Sequence, residues 1–244
     1  KDIKVSAIVE SNVIYPGRKN ISALLKYLEI SGLYYVFPQV LKIWYFSFAR
    51  FLVGLLNKKS HIFYDYKKIA RHKNIPIYRI NDINDRNFVK KLSKKNPDLF
   101  VSVLFNQIFK RELLKKSKFG TINIHPALLP SFKGVSPTFW VLALNKKKAG
   151  VSIHTIPDEK VDEGVLLAQK QISISKNDTE HSLYLKCVYA GVPLLKETIQ
   201  NISKGIEYPS FKRRRPSYYS IPTKESVDRF KKLKRRFYTF NELL

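Results

Sequence analysis

Asn123 and His125 stand two positions apart in the stretch NIHPALLPSFKG, which follows the run Gly120-Thr121-Ile122. Alternation with Ile122 and Ile124 sends both polar side chains out on one face of an extended strand. An amide and an imidazole converging on one point can stabilise an oxyanion as a carbonyl becomes tetrahedral. Pro126 and Pro130 fix the backbone beyond the strand and leave carbonyls free to bind a partner. A second polar group follows in GVSIHTIPDEKVDEG, where His154 leaves another strand and Asp162 occupies the loop before Gly164. If the two strand exits are adjacent, Asp162 faces His125. A carboxylate beside an imidazole raises the imidazole pKa and can relay a proton.

Such residues need a scaffold that ends strands side by side. Apolar runs bounded by turn residues alternate with helical patterns along the chain, which predicts an α/β fold with a mainly parallel sheet flanked by helices. Ile3 to Val9 is the first expected strand, followed by a loop around Pro16-Gly17 and a helix over Asn20 to Ile30. His61 to Tyr64, Lys67 to His72 and Ile75 to Tyr78 read as strand, helix, strand. Asn81-Asp82 or Asn84-Asp85 caps a helix running to Lys95 and ended by Asn96-Pro97. Asp98 to Leu104, DLFVSVL, reads as a buried strand. A short helix over Lys110 to Lys116, a strand over Thr121 to His125 and a helix over Pro137 to Leu144 come next. Val151 to Ile156 and Val165 to Ile174 read as strands flanking the turn PDEKVDEG. Asp178-Thr179 opens a long helix to Ser203, interrupted by Gly191 and Pro193, and a weak helix over Lys224 to Arg236 lies in the tail. The 244 residues suit a domain over 1–205 with a short C-terminal appendage over 206–244.

Composition narrows the class. With 44% hydrophobic and 13% aromatic residues the chain is globular. The single cysteine, Cys187, leaves no intrachain disulfide framework and no cysteine cluster for zinc, and fits a reducing compartment. A net charge of +26 attracts nucleic acid, anionic membrane surface or phosphorylated small substrates, and charge alone does not choose among them. The tail is the densest part, with eleven Lys or Arg against four Asp or Glu over 206–244. No signal peptide is visible at KDIKVSAIVE. Pro38 to Leu56 is apolar for 19 residues, yet Lys42 and Arg50 lie within it and Gln39, Lys42, Phe46, Arg50 and Asn57 form a narrow, mostly polar helical stripe. That pattern reads first as a buried or partner-covered helix, then as an interfacial membrane helix, and last as a transmembrane one. His61, His72 and His181 carry no pattern.

Asn123-Ile124-His125-Pro126, Leu128-Leu129-Pro130, Lys133-Gly134, Gly150-Val151-Ser152-Ile153-His154 and Val161-Asp162-Glu163-Gly164 together resemble the blocks of the 10-formyltetrahydrofolate-dependent formyltransferases. Order and spacing are kept over about residues 75 to 200, with Asp162 standing 37 positions after His125. The resemblance implies a Rossmann-like formyltransferase fold. It also implies a catalytic set of Asn123, His125 and Asp162, with Asn123 and His125 holding the oxyanion and Asp162 tuning His125. The formyl donor, 10-formyltetrahydrofolate, is expected against Phe105, Asn106, Gln107 and Ile108, bordered by Leu129 and Val161, largely through main chain. Lys133 and Trp140 are substrate-binding candidates by position, and no metal is implied.

Three branches compete for the acceptor amine. KGVSPTFW is unlike the glycinamide ribonucleotide branch. The initiator methionyl-tRNA branch matches the central blocks and suits the charge, but the 39 residues after Gly205 are too few for that branch's C-terminal barrel. Pro137-Thr138-Phe139-Trp140 and Tyr218-Tyr219-Ser220-Ile221-Pro222-Thr223 are most similar to the sugar N-formyltransferases, which act on nucleotide-linked amino sugars. The implied partner is therefore a nucleotide-sugar substrate in a cytoplasmic setting. A homodimer and a peripheral membrane contact through residues 33–56 stay open, and nucleic acid is disfavoured. The alternatives are tRNA formylation and a non-catalytic basic module binding nucleic acid or membrane.

Overall fold

The structure, a computed structural model, describes residues 3–11, 20–55, 66–208, 211 and 214–243. The loop expected at Pro16-Gly17, the strand expected at His61 to Tyr64, and Asn57 of the polar stripe lie outside the described residues. The chain runs β1 (Ile8–Ser11), α1 (Asn20–Ser31), α2 (Leu33–Leu55), α3 (Tyr66–His72), β2 (Ile77–Ile80), α4 (Arg86–Ser93), β3 (Phe100–Val103), α5 (Arg111–Leu114), β4 (Thr121–His125), β5 (Lys133–Gly134), α6 (Pro137–Ala143), β6 (Lys148–Thr155), β7 (Leu166–Ser173), α7 (Glu180–Lys204), β8 (Tyr218–Tyr219) and α8 (Lys224–Lys232).

Crossover helices return strands in parallel, and the described pairs follow that rule in the first half of the chain. β1 pairs with β2, and β3 with β4, both parallel. β4 then pairs antiparallel with β6, and β6 with β7, giving the order β3-β4-β6-β7. The expected α/β class is borne out, with β6 and β7 extending the parallel part as an antiparallel hairpin. β1 and β2 sit further along the chain than expected, because Ile8 registers with Ile77 and Ser11 with Ile80. An apolar run states which residues can form a strand, and the partner strand selects which of them pair.

Local signals fix most helix starts. Asp85 caps α4 by accepting from the Phe88 N–H at 2.9 Å, which selects Asn84-Asp85 over Asn81-Asp82. Thr179 caps α7 in a reciprocal box with Ser182, and Gly205 ends it at φ +66°. Gly191 and Pro193 leave α7 continuous; the missing side chain at Gly191 lets the helix lie close on Ile124 and Val151. Burial pushes the Cys187 thiol up to about 12, and it donates to the Gly150 carbonyl rather than acting as a nucleophile. α8 ends at Lys232, short of the expected Arg236, because Lys234 takes a left-handed φ of +53°.

Two expectations need correcting. DLFVSVL is not a buried strand: only Ser102 of β3 is buried, while Val101, Val103 and Leu104 are exposed. The helix α7 packs on β6 and β7, and of this run it is Leu99 that joins the α7 cluster. The apolar segment from Pro38, as far as it is described, is likewise not buried within this chain. Its helix α2 starts at Leu33, carries Pro38 in its first turns and leaves Trp44, Phe48 and Phe51 exposed.

The tail joins the main core. All seven residues of α6 are buried, and Phe139 stacks on Phe230 at 5.0 Å and meets Trp140 edge-on. Phe230 also stacks on Phe237 at 4.8 Å, and Tyr35 of α2 meets both Phe139 and Phe237 edge-on. Val227, Phe230 and Phe237 of the tail thus share one hydrophobic cluster with Ala127, Phe132, residues 139–143 of α6 and Ala149. Phe230 is fully buried, so Phe230→Ala is expected to cost ~3–5 kcal/mol in denaturant unfolding, the loss typical of an emptied core aromatic. A cost below ~1 kcal/mol would show the tail to be a loosely attached appendage.

Candidate active site

The two strand exits are not adjacent, since His125 at the end of β4 lies opposite Ser152 and Thr155 at the end of β6 lies opposite Ile122; Asp162 reaches His125 because the turn after β6 folds back over the strand pair. β4 and β6 run antiparallel with Asn123 opposite His154, so the two polar side chains share one face beside the 156–165 turn. Asp162 of that turn takes φ +52°, a left-handed conformation that Asp tolerates at a cost of about 1–2 kcal/mol. Its loop returns at Gly164, where a Cβ would collide with the Thr155 carbonyl. The Asp162 side chain is 8% exposed.

A buried carboxylate requires partners, and Asp162 has four polar neighbours. Oδ2 accepts from the Gly134 N–H at 2.8 Å and lies 3.6 Å from Nδ1 of His125. Oδ1 lies 3.3 Å from Nε2 of His154 and 3.5 Å from Nδ2 of Asn123. Burial alone would raise the Asp162 pKa. The hydrogen bond with His154, the charge of His125 and the Gly134 N–H outweigh it and hold the carboxyl below its ordinary range. Asp162 is therefore ionised at neutral pH.

Backbone contacts set the tautomers of both rings. His125 Nε2–H donates to the Phe132 carbonyl at 2.9 Å, and His154 Nδ1–H donates to the Thr155 carbonyl at 2.8 Å. The remaining nitrogen of each ring, Nδ1 of His125 and Nε2 of His154, faces Asp162. Asn123 donates from Nδ2 to Nε2 of His154 at 3.1 Å, and its second Nδ2 proton faces Asp162 at the longer distance. Burial lowers the His125 pKa from 6.5, and Asp162 counteracts this without reversing it. The rise expected from the carboxylate alone is corrected: removing the ring from water dominates.

The loop after β4 is pinned from two strands. Ser152 Oγ donates to the Ala127 carbonyl at 2.6 Å and accepts from the Leu129 N–H at 3.1 Å. Gln169 Nε2 donates to the Leu129 carbonyl at 3.0 Å. Farther on, Phe132, Gly134 and Ser136 all take positive φ, and the tail holds them there. β5 pairs with β8, the Lys133 N–H donates to the Ser217 carbonyl and the Val135 N–H to the Tyr219 carbonyl, both at 2.9 Å. Gly134 lies so close to the Tyr219 carbonyl that a Cβ would overlap it. Ser217 Oγ accepts from the Phe132 N–H at 2.9 Å, so the tail positions both the carbonyl that binds His125 and the amide that binds Asp162.

The structure thus brings Asn123, His125 and Asp162 together and adds His154, Gly134 and Ser217. His154 was signalled by its alternation with Ile153 in GVSIH; the roles of Gly134 and Ser217 carry no local signal. The other candidates fall elsewhere. Phe105 packs on Phe109 within the α4 core, and Gln107 spends its amide on Ser11 Oγ and the Asn81 carbonyl and accepts from the Ile83 N–H. Asn106 and Ile108 are exposed beside them, as is Val161, whereas Leu129 is buried. Lys133 is paired with Glu163 at 2.9 Å. Trp140 is buried, stacked on Tyr219 at 4.7 Å, and its indole N–H donates to the Ser220 carbonyl. A cavity of about 360 Å³ opens at the carboxyl ends of β1 and β3, walled by Val9, Val103, Leu104 and Phe105 with Glu10, Ser11, Tyr66 and Asn106 as polar groups. Open α/β sheets bind ligands at such strand ends.

Residues 55–199 match the Formyl transferase family. The chain is 38% identical over 139 residues to the bifunctional polymyxin resistance protein ArnA of Wigglesworthia glossinidia brevipalpis, covering 57% of this chain and 21% of that protein. It is 37% identical over 145 residues to the methionyl-tRNA formyltransferase of Thermodesulfovibrio yellowstonii, covering 59% of this chain and 47% of that enzyme. It therefore spans about a fifth and about half of the lengths of these two relatives. Among solved structures, the sugar 3N-formyl transferase WlaRD, in the presence of dTDP and 5-N-formyl-THF, superposes with a TM-score of 0.50 at 26% identity, covering 67% of this chain and 57% of that one.

Because Asp162 is the group that holds the His125 pKa up, Asp162→Asn is expected to move it further below 6.5. An NMR titration of the His125 ring reads this directly. An unchanged or raised value would mean that the carboxylate does not act on the ring.

Proposed function

This chain belongs to the formyl transferase family, and we propose that it moves a formyl group from 10-formyltetrahydrofolate to the amino group of a nucleotide-linked amino sugar. The observation that carries the chemical part is the ionised Asp162 held 3.6 Å from Nδ1 of His125 and 3.3 Å from Nε2 of His154, beside the Asn123 amide. When bound, 10-formyltetrahydrofolate supplies a formyl carbon already activated by the nitrogen that leaves it. The cavity at the ends of β1 and β3 fits a flat, partly polar ring system in size and lining, and Leu104, Phe105 and Asn106 would border it.

Formyl transfer to an amine forms one C–N bond, breaks another, and returns the proton lost by the amine to the leaving nitrogen. Neutral His125 takes that proton at Nδ1, where Asp162 stabilises the imidazolium, and the same proton is available for the leaving group. Asn123 turns the Nδ2 proton of its long contact with Asp162 to the oxygen that gains charge, while His154 keeps the amide oriented through the shorter bond. His154 acts here through Asn123 and Asp162.

The sugar acceptor is supported by the likeness to WlaRD with its dTDP and folate derivative, and by a charge of +26 that suits a diphosphate. The 37% identity to a methionyl-tRNA formyltransferase favours a second reading, in which the acceptor amine is carried on tRNA. Incubation with the folate donor and a panel of UDP-, GDP- and dTDP-linked amino sugars, alongside charged initiator tRNA, separates them. Release of tetrahydrofolate with the mass gain of a formyl group on one sugar is the expected result, and formylation of the tRNA alone overturns it.

Asp162→Asn and His125→Gln are each expected to lower kcat by about 10²-fold or more with the far-UV spectrum unchanged. Full turnover in both variants would remove the cluster from the chemistry. The pH profile has a fixed sign. A folded-state His125 pKa below 6.5 keeps the base neutral as pH falls through 6.5, so kcat/KM should hold there and decline only at lower pH. An acid limb at or above 6.5 would contradict this.

A further inference from the structure

The helix α2 is built inside out. Tyr35, Gln39, Lys42 and Phe46 recur at spacings of four, three and four, and this stripe faces the body of the protein. Tyr35 enters the aromatic core, Gln39 Nε2 donates to Glu180 Oε2 at 2.9 Å, and Phe46 meets the His181 ring at 6.0 Å. The opposite stripe, Leu33, Phe37, Trp44, Phe48, Phe51 and Leu55, is exposed along the whole helix, with Trp44 at 72%. A surface helix of a globular protein ordinarily shows the reverse arrangement. Twenty-three residues leave an apolar strip about 34 Å long without a covering element among the described residues.

The neighbourhood of this strip is basic. Lys224 lies against Gly32 at the head of α2, and Lys231 sits 5.2 Å over the ring of Tyr34. Lys224, Arg229, Lys231, Lys232, Lys234 and Arg236 are exposed along α8 and its continuation, against Glu225 and Asp228. An apolar strip with exposed aromatic residues and an adjoining cationic rim is complementary to the boundary between acyl chains and anionic headgroups. Two copies of this chain meeting along the same strip would bring two such rims together, on a protein of net charge +26, and like charges oppose that contact. Spanning is excluded for the helix as described: none is long and apolar enough to cross a membrane, and the polar stripe of α2 is docked on α7.

We propose that the outward face of α2, with the basic edge of α8, is a peripheral docking surface for an anionic lipid bilayer, with α2 lying in the plane of the interface. This reading rests on the surface alone and is independent of the acceptor amine.

The test uses the whole chain with vesicles of phosphatidylcholine, with and without phosphatidylglycerol. Expected are co-sedimentation with the anionic vesicles, weakening as salt rises, and a blue shift of Trp44 emission; Trp140 is already buried, and Trp44→Phe removes the shift. The triple variant Phe37→Ser, Trp44→Ser, Phe48→Ser changes only exposed positions and should lower binding at least tenfold with an unchanged far-UV spectrum. Lys231→Glu with Lys232→Glu should lower binding to anionic vesicles about tenfold or more. Should the triple variant not fold, quenching of Trp44 by brominated lipid in the wild-type chain reads insertion independently. No binding to anionic vesicles at low salt overturns the proposal, as does undiminished binding of the folded triple variant. A dimer that the triple variant dissociates, in a chain that ignores vesicles, also overturns it and assigns the face to self-association.

Discussion

The site depends on keeping one carboxylate charged out of water. Asp162 is nearly sealed, and an isolated ion there would protonate instead of staying ionised. Its charge is sustained by the Gly134 N–H, by His154 and His125, and by the edge of the Asn123 amide. Those partners come from β4, β5 and β6, so the carboxylate is also what fixes the relative position of three strand ends. The same arrangement leaves each ring with one nitrogen tied to a backbone carbonyl and the other facing the charge.

Backbone geometry that would be costly in isolation is retained where it serves this charge. Positive φ at Phe132, Gly134, Ser136 and Asp162 lets the chain turn a carbonyl to His125 and an amide to Asp162 within three residues. The strain is held by β8 and the residue before it: the Ser217 hydroxyl and carbonyl accept from the Phe132 and Lys133 N–H groups, and the Tyr219 carbonyl accepts from the Val135 N–H. The tail in turn is anchored through Phe230 and Phe237 in the cluster around α6. The loop after β4, the tail and the core thus form one connected unit.

Charge is distributed with a similar division of labour. The carboxylate of the site, Asp162, is buried and paired, while the basic excess stays on the surface, densest along α8. Beside it α2 spends its polar residues on the protein and its apolar residues on the outside. Hydropathy alone does not distinguish a helix turned this way from a buried one, because both present the same list of residues.

Asn123, His125 and Asp162 were legible from the chain because strand alternation and a fixed separation in sequence survive any packing, and the blocks around them carry a family resemblance. Helix starts at Asp85 and Thr179 were legible too, since a cap is satisfied within three residues of itself. What depended on distant partners was not. The strand register of β1 was chosen by β2, the exposure of Val101 and Val103 by where α7 packs, and the burial of Trp140 by Tyr219, nearly eighty residues later. The direction of the His125 pKa followed the same rule: the neighbouring carboxylate could be read from the chain, but the loss of water around the ring belongs to the whole fold. The sequence by itself determined which groups can react and that they lie on strand exits; tertiary structure decided their protonation, their partners and which face of α2 meets solvent, because burial and hydrogen bonding are sums over residues far apart in the chain.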